Sequence, residues 1–585
     1  MKHTKYIPKL ILILCIAILT SCASNKTTPP TLSETAKKNI LSINIGANPS
    51  FLNPIRYTDS TSHTVVRMVF NGLFKQDEDL NMEPDLVKDY TISKDGMTYT
   101  FNLHTNVTWH DGKPLTAEDI KFTFDTLISP KTNTVRRGHF VINGKPITFK
   151  VLSKYTVQAK LPEPYAPFIS VLDMGILPKH ILENEDINTT NFNRNPIGTG
   201  PFIFTEWRPD QFIRLEQNPN YFKTPAKLNG IVMRIIPDSS TSLVALKKGE
   251  IDISGVPSKD VERIKTVPYL DFYTYSRLTY SYIGLNVKKE PFTNINVRQA
   301  IAYAINKQTI IDSVLRGYGE PAHIPSSPLS WAYPNASKLF TYSYNPKKAK
   351  QLLINAGYTY NATTKKMEKN GQALTFKIIV GQGSKEGERI AQITQRFLSN
   401  IGIDMRIQIL EWSSLLKTIH STSLPKPFDA VMLGWGFDIN DPDDAYTSWH
   451  GSQYPNGGNF NGFTNATADT LLDQGRSELN KEKRKAIYAK FFNIVSKETP
   501  YVFLFHPQST VSVHKYVKGL SKPGPAGILH NIEGIYLQPN PWSDADYWLA
   551  FQPYLAFAYY PFYSWNYPPE TPPWYTKIPT LPWKI

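Results

Sequence analysis

Cysteine is almost absent from this chain of 585 residues, where only Cys15 and Cys22 occur. Both stand near the amino end, so no disulfide framework can hold the body together, even in a compartment that would permit one. The apolar run 10–19 is too short to cross a bilayer as a helix, which takes about 20 residues. Charge of one sign is not concentrated either. The formal net charge is +15, but lysines and arginines are spread with no dense run. That describes a solvated surface, not a nucleic-acid footprint or a polybasic membrane patch. Three catalytic signatures are missing: Gly-x-Ser-x-Gly, His-Glu-x-x-His and Gly-x-x-x-x-Gly-Lys-Ser/Thr. The glycine-rich stretch 381–387 has its third glycine one position late for a dinucleotide loop. His506 and His514 have no further ligands at zinc spacing, and 438–444 carries Asp443 where a calcium loop needs glycine. The expectation is a non-enzyme with no cofactor and no metal.

The length allows two or three domains. Lys2, Lys5 and Lys9 precede the apolar run, which ends in Leu19-Thr20-Ser21-Cys22. This resembles the lipobox of bacterial lipoproteins, which makes 1–22 a signal peptide and Cys22 the lipidated first residue. Residues 23–38 are polar, contain Pro29-Pro30, and read as a tether. Strand and helix signals then interleave, which argues an α/β body. Residues 40–46 alternate as a first strand. A short helix is expected over 65–74, and Thr116-Ala117-Glu118-Asp119 starts another with a capping box. Apolar spacing predicts one helix over 296–316, Asn345-Pro346 opens the next, and 480–497 is amphipathic. Residues 501–505 read as a buried strand. The extension 541–585 is crowded with Trp, Tyr, Phe and Pro, too aromatic for a disordered linker.

The richest stretch is 428–449. Residues 429–433 are short, apolar and β-prone, so they form a buried strand. Gly434 and Gly436 then bracket Trp435, and such glycines let a backbone approach another chain closely. Asp438 follows, and Asn440, Asp441, Pro442, Asp443 and Asp444 make a turn. A tryptophan wall, an open backbone and a carboxylate suit a small ligand with a cationic end. The alternative is an acidic surface loop beside a core tryptophan.

Several ordered segments carry a resemblance. They include Phe70-Asn71-Gly72-Leu73, Glu83-Pro84-Asp85-Leu86, Trp109-His110-Asp111-Gly112-Lys113-Pro114, Gly198-Thr199-Gly200-Pro201-Phe202, Lys248-Gly249-Glu250-Ile251-Asp252 and Val297-Arg298-Gln299-Ala300-Ile301. Over about 41–520 the chain resembles the family 5 extracellular solute-binding proteins, the peptide and nickel receptors of ABC importers. The resemblance implies an α/β, two-lobed periplasmic-binding-protein fold with a hinge and an extra inserted α/β subdomain. It places the first lobe at 39–70, 195–285 and 500–540, the insert at 71–194 and the second lobe at 286–499. It also implies a monomer that takes a short peptide, hands it to a membrane permease and binds no nucleic acid, outside the cytoplasm and lipid-anchored. Gly434-Trp435-Gly436-Phe437-Asp438 matches the motif of peptide-binding members. There the aspartate pairs with the peptide α-ammonium and the segment's backbone pairs with the peptide's. Trp435 would wall the first pocket, and Phe437 adds bulk beside the anchor. Tyr280 and Tyr282 precede the hinge-like Gly284-Leu285-Asn286; Tyr282 is a candidate for the cleft wall, with core packing as its alternative. A nickel or metal-chelate receptor and an oligosaccharide receptor are the alternative functions.

Overall fold

The computed structural model describes residues 33–436 and 440–538. Cys22 and the leader, Phe437 and Asp438, and the aromatic extension 541–585 lie outside the described residues.

A strand of 14 residues, Tyr501–His514, organises the rest. The sequence pattern marked only its first five residues, because its middle carries Pro507, Gln508 and Ser509 and loses the apolar run. Those middle residues are partly open, while both ends are buried. Its first half pairs antiparallel with Thr279–Leu285, Ser281 facing Phe505 and Gly284 facing Tyr501. Its second half pairs antiparallel with Ile253–Gly255 and Leu270–Ser276. The two strands Leu270–Ser276 and Thr279–Leu285 follow one another across Arg277-Leu278. The polar middle of the long strand therefore joins the two ends of this sheet.

On one side the sheet continues through Ile253–Gly255, Ile40–Asn44, Gly230–Arg234, Phe212–Gln217 and Phe202–Arg208. On the other it continues through Thr279–Leu285, Ala430–Gly436, Thr375–Gly381 and Asp404–Leu410. The strands at this end of the sheet are covered on both faces, which explains their unbroken apolar runs. Ile283, Ile378, Ala430, Val502 and Leu504 enter one core. Their immediate neighbours Tyr282, Ile379, Val431, Tyr501 and Phe503 enter the opposite one. This is the two-residue period of a strand written into two cores at once.

The inserted α/β subdomain holds a four-stranded antiparallel sheet in the order Val87–Ile92, Thr98–Leu103, Thr156–Lys160, Thr148–Ser153. Helix Ala117–Ile128 starts at the expected capping box, Asp119 accepting from the Thr116 N–H at 2.8 Å. It lies on the sheet with Phe124 stacked on Phe149 at 4.0 Å. One continuous set of buried side chains joins this subdomain to the first lobe.

Two expected helices differ from the sequence reading. The span 296–316 is two helices, Ile295–Ala304 and Lys307–Ser313. Ile305 is extended, and the Asn306 side chain caps the second helix by accepting from the Thr309 N–H at 3.1 Å. A local side-chain acceptor competes with the helix interior, and apolar spacing does not register it. The helix expected over 65–74 is Ser60–Val69, capped by Asp59, whose Oδ1 accepts from the Ser62 N–H at 2.8 Å. Its first turn, Ser60-Thr61-Ser62, is polar and carried no apolar signal.

Candidate functional site at the open end of a second-lobe strand

Strand Ala430–Gly436 begins in the core and ends in the open. Ala430 and Val431 are buried, Trp435 is half-buried, and Gly434 and Gly436 are exposed. Along one edge it pairs fully with Thr279–Leu285, Trp435 facing Tyr280 and Gly434 facing Ser281. Along the other edge only Ala430 and Val431 find a partner, Ile378 and Ile379. From Met432 to Gly436 that edge has no strand partner among the described residues. Unpaired strand edges accept another extended chain through main-chain hydrogen bonds.

The glycines do not serve close packing within the chain. A Cβ added at Gly434 would meet the Tyr280 carbonyl oxygen at 3.7 Å, and one at Gly436 would meet Thr279 Cγ2 at 3.7 Å. Both are ordinary contacts. What the glycines do is leave one face of the strand's open end without side chains, since residues two apart share a face. Trp435 is held in place, its Nε1–H donating to Asp444 Oδ2 at 2.8 Å. Tyr282 sits on the neighbouring strand with no exposed surface, its ring stacked on Tyr501 at 4.0 Å. The structure thus brings Gly434, Trp435 and Gly436 together and places Tyr282 beside them, inside the core. Phe437 and Asp438, the rest of the expected set, lie outside the described residues.

The turn after this strand is no acidic surface loop. Asp441, Asp443 and Asp444 are all buried. Arg484 grips Asp441 through both terminal nitrogens, at 2.9 and 2.7 Å. Arg476 grips Asp443 through Nε at 3.0 Å and Nη2 at 3.2 Å. Tyr165 of the insert donates to the same carboxylate at 2.9 Å, and Arg476 also donates to the Gly138 carbonyl at 2.5 Å. His139 Nδ1 stands 3.6 Å from Asp443, beyond hydrogen-bond reach. The Arg476 guanidinium lies 3.6 Å over the Tyr446 ring. Burial alone pushes the Asp443 carboxyl up, but Arg476, with His139 and Arg484, outweighs it and holds the group below its ordinary value. The sequence offered a faint signal for half of this: Arg484 lies on the predicted helix 480–497. Nothing local pointed to Tyr165 or Gly138, about three hundred residues away from Asp443.

These features define a class: a two-lobed binding protein built on one long sheet, with an unpaired strand edge beyond Val431. Bacterial extracellular solute-binding proteins, family 5 Middle, match residues 81–457. The chain is 33% identical over 538 residues to the oligopeptide-binding protein AppA of Bacillus subtilis, covering 90% of this chain and 97% of that protein. It is 28% identical to the dipeptide-binding protein of Escherichia coli, covering 81% of this chain and 90% of that one. Among solved structures, Bacillus subtilis AppA in complex with a nonapeptide superposes with a TM-score of 0.81 at 33% identity, covering 88% of this chain and 100% of that one. NikZ of Campylobacter jejuni in complex with Ni(L-His) gives 0.77 at 29% identity, covering 85% and 99%. The chain belongs to family 5 of the bacterial extracellular solute-binding proteins. It is accordingly an extracytoplasmic transport receptor and not an enzyme.

Proposed function

We propose that this protein is the substrate-binding lipoprotein of an ABC importer, holding short peptides between its lobes and delivering them to a membrane permease. The observation that carries the reading is the unpaired edge from Met432 to Gly436, free of side chains at Gly434 and Gly436. A peptide laid along it gains main-chain hydrogen bonds that read no side chain, so affinity extends over many sequences. Asp438, two residues past the strand, takes the α-ammonium in a charge-assisted bond. Trp435, fixed by Asp444, walls the first side-chain pocket. In this reading the first lobe is 39–70, 195–285 and 500–540, the insert 71–194 and the second lobe 286–499. Ligand contacts made only in the closed form shift the lobes toward closure. Cys22 carries the lipid, and no described helix is long and apolar enough to cross a membrane.

The test is calorimetry with peptides of two to nine residues on the wild-type protein and on Asp438→Ala. Peptides bind the wild type, and the variant loses about 2–5 kcal/mol, much of it for an ammonium left unpaired. Unchanged affinity in the variant removes Asp438 from the site. The NikZ likeness supports a second reading, a metal-chelate receptor. Tight binding of nickel–histidine with no response to any peptide would establish that reading instead. Labelling with a radioactive fatty acid should mark the wild type and not Cys22→Ala.

A further inference from the structure

A cavity of about 170 Å³ lies in the first lobe and insert, between helix Ser60–Val69, strand Phe74–Gln76 and the segment 530–533. None of residues 286–499 lines it, and neither does the strand edge at Gly434–Gly436. Most of its polar lining is committed. Asn71 donates to Asp85 and to Tyr221 at 2.8 and 3.0 Å. Asp85 also holds Lys223, and Lys75 pairs with Glu83 at 3.0 Å. Arg136 lies over the Tyr57 ring at 4.3 Å.

Three groups on its wall are not committed. The Arg67 guanidinium makes no ion pair or hydrogen bond with any described residue, and neither does the Glu533 carboxylate. They attract one another, but they do not come within ion-pair distance. His530 Nδ1 is buried with no hydrogen-bond partner. Arg67 is exposed at the cavity and Glu533 half-buried, so water reaches both, while the buried His530 nitrogen calls for a partner that the described residues do not supply. A cavity where a few such groups converge is the usual form of a small-ligand site.

The charge arrangement selects the ligand. Charges of both signs line the space, Arg67, Arg136 and Lys75 with Glu533, Asp85 and Asp173, so neither a lone anion nor a lone cation is matched by the whole wall. A molecule bearing both charges satisfies both walls. Its carboxylate meets the planar guanidinium in a forked pair, and its ammonium meets Glu533. Apolar Val66, Phe70 and Met174 line the same space and suit a short aliphatic part. We propose that this cavity is a second ligand site, for a zwitterion of amino-acid size.

The experiment is calorimetry on the mature chain with L-alanine, 4-aminobutyrate, propionate and propylamine, each up to about 10 mM, where even millimolar affinity shows. At least one of the two zwitterions should bind, and the single-charge analogues should bind at least about tenfold more weakly, each lacking one charge-assisted bond. Arg67→Gln and Glu533→Gln should each weaken that binding about tenfold to a hundredfold. Asp438→Ala should leave it unchanged. The proposal is overturned if neither zwitterion binds, if propionate or propylamine binds as well as the zwitterions, or if both cavity variants bind like the wild type. It is also overturned if Asp438→Ala abolishes the binding, since the molecule then occupies the peptide site. Melting curves check that the variants fold. If Arg67→Gln does not, Arg67→Lys keeps the charge, loses the fork, and should retain partial affinity.

Discussion

The two halves of the stretch 430–449 make opposite use of polar groups. In the strand half, backbone from Met432 to Gly436 stands open along one edge, with no described partner. In the turn half, Asp441, Asp443 and Asp444 are buried, and each has a side-chain partner at 3.0 Å or less. Few residues separate an unpaired edge from a cluster of buried ion pairs. The difference teaches that acidity along this stretch is not one property. The Asp443 carboxylate accepts from Tyr165 and holds Arg476, which donates to the Gly138 carbonyl, so the turn is tied to the insert twice. These ties fix where the open strand ends.

The largest break in this contrast should come from Asp443→Ala. It leaves Arg476 buried without its carboxylate and should cost about 3–5 kcal/mol in denaturant unfolding. A loss below about 1 kcal/mol would mean that water replaces the carboxylate around Arg476. The pH dependence follows from the same pair. Asp443 is depressed in the folded protein, so its stabilisation is full above the unfolded value of about 4 and is lost as pH falls through the folded one. Asp443→Asn should therefore flatten the fall in melting temperature between about pH 5 and pH 2. An identical acid limb in that variant and the wild type would place the sensitive carboxylates elsewhere.

Tyr165→Phe removes one hydroxyl between the insert and the second lobe. It should cost about 1–3 kcal/mol, because it deprives a buried charge of one donor. If unfolding is unmoved, the tie to the insert is carried by Arg476 and Gly138 alone. Trp435→Phe keeps an aromatic wall but loses the bond to Asp444. About 1 kcal/mol of stability should go, with a comparable loss of peptide affinity. A drop in affinity with no change in stability would show that the indole N–H serves the ligand and not the turn.

The smallest stability effect and the sharpest test belong to Gly434→Ala. Its added methyl meets its nearest neighbour at 3.7 Å, so the folded protein should change by no more than about 1 kcal/mol. Peptide binding should nonetheless weaken, since a methyl now stands on the face beside the open edge. Equal peptide affinity would show that ligands do not run along this edge.

Much of the fold was legible because its signals are local. Thr116 and Asp119 announce a helix start, Asn345-Pro346 another, and the apolar run of Ala430 to Leu433 a strand. What stayed illegible has a common cause. The break at Ile305 depends on one side chain bonding its own backbone. The long strand Tyr501–His514 continues through polar residues because neighbouring strands pair with it there. Tyr282 was weighed as a cleft residue, yet its ring stacks on Tyr501. Which face of the sheet it joins depends on register between strands distant in sequence.

By itself the sequence determined the class of the chain, the α/β alternation and the place of the glycine-bracketed tryptophan, since each rests on neighbours within a few residues. Only the tertiary structure decided which acids are buried and which strand edge stays open. An ion pair such as Asp443 with Arg476, or a ladder that stops after Val431, depends on segments brought together from across the chain, and short-range periodicity carries no record of them.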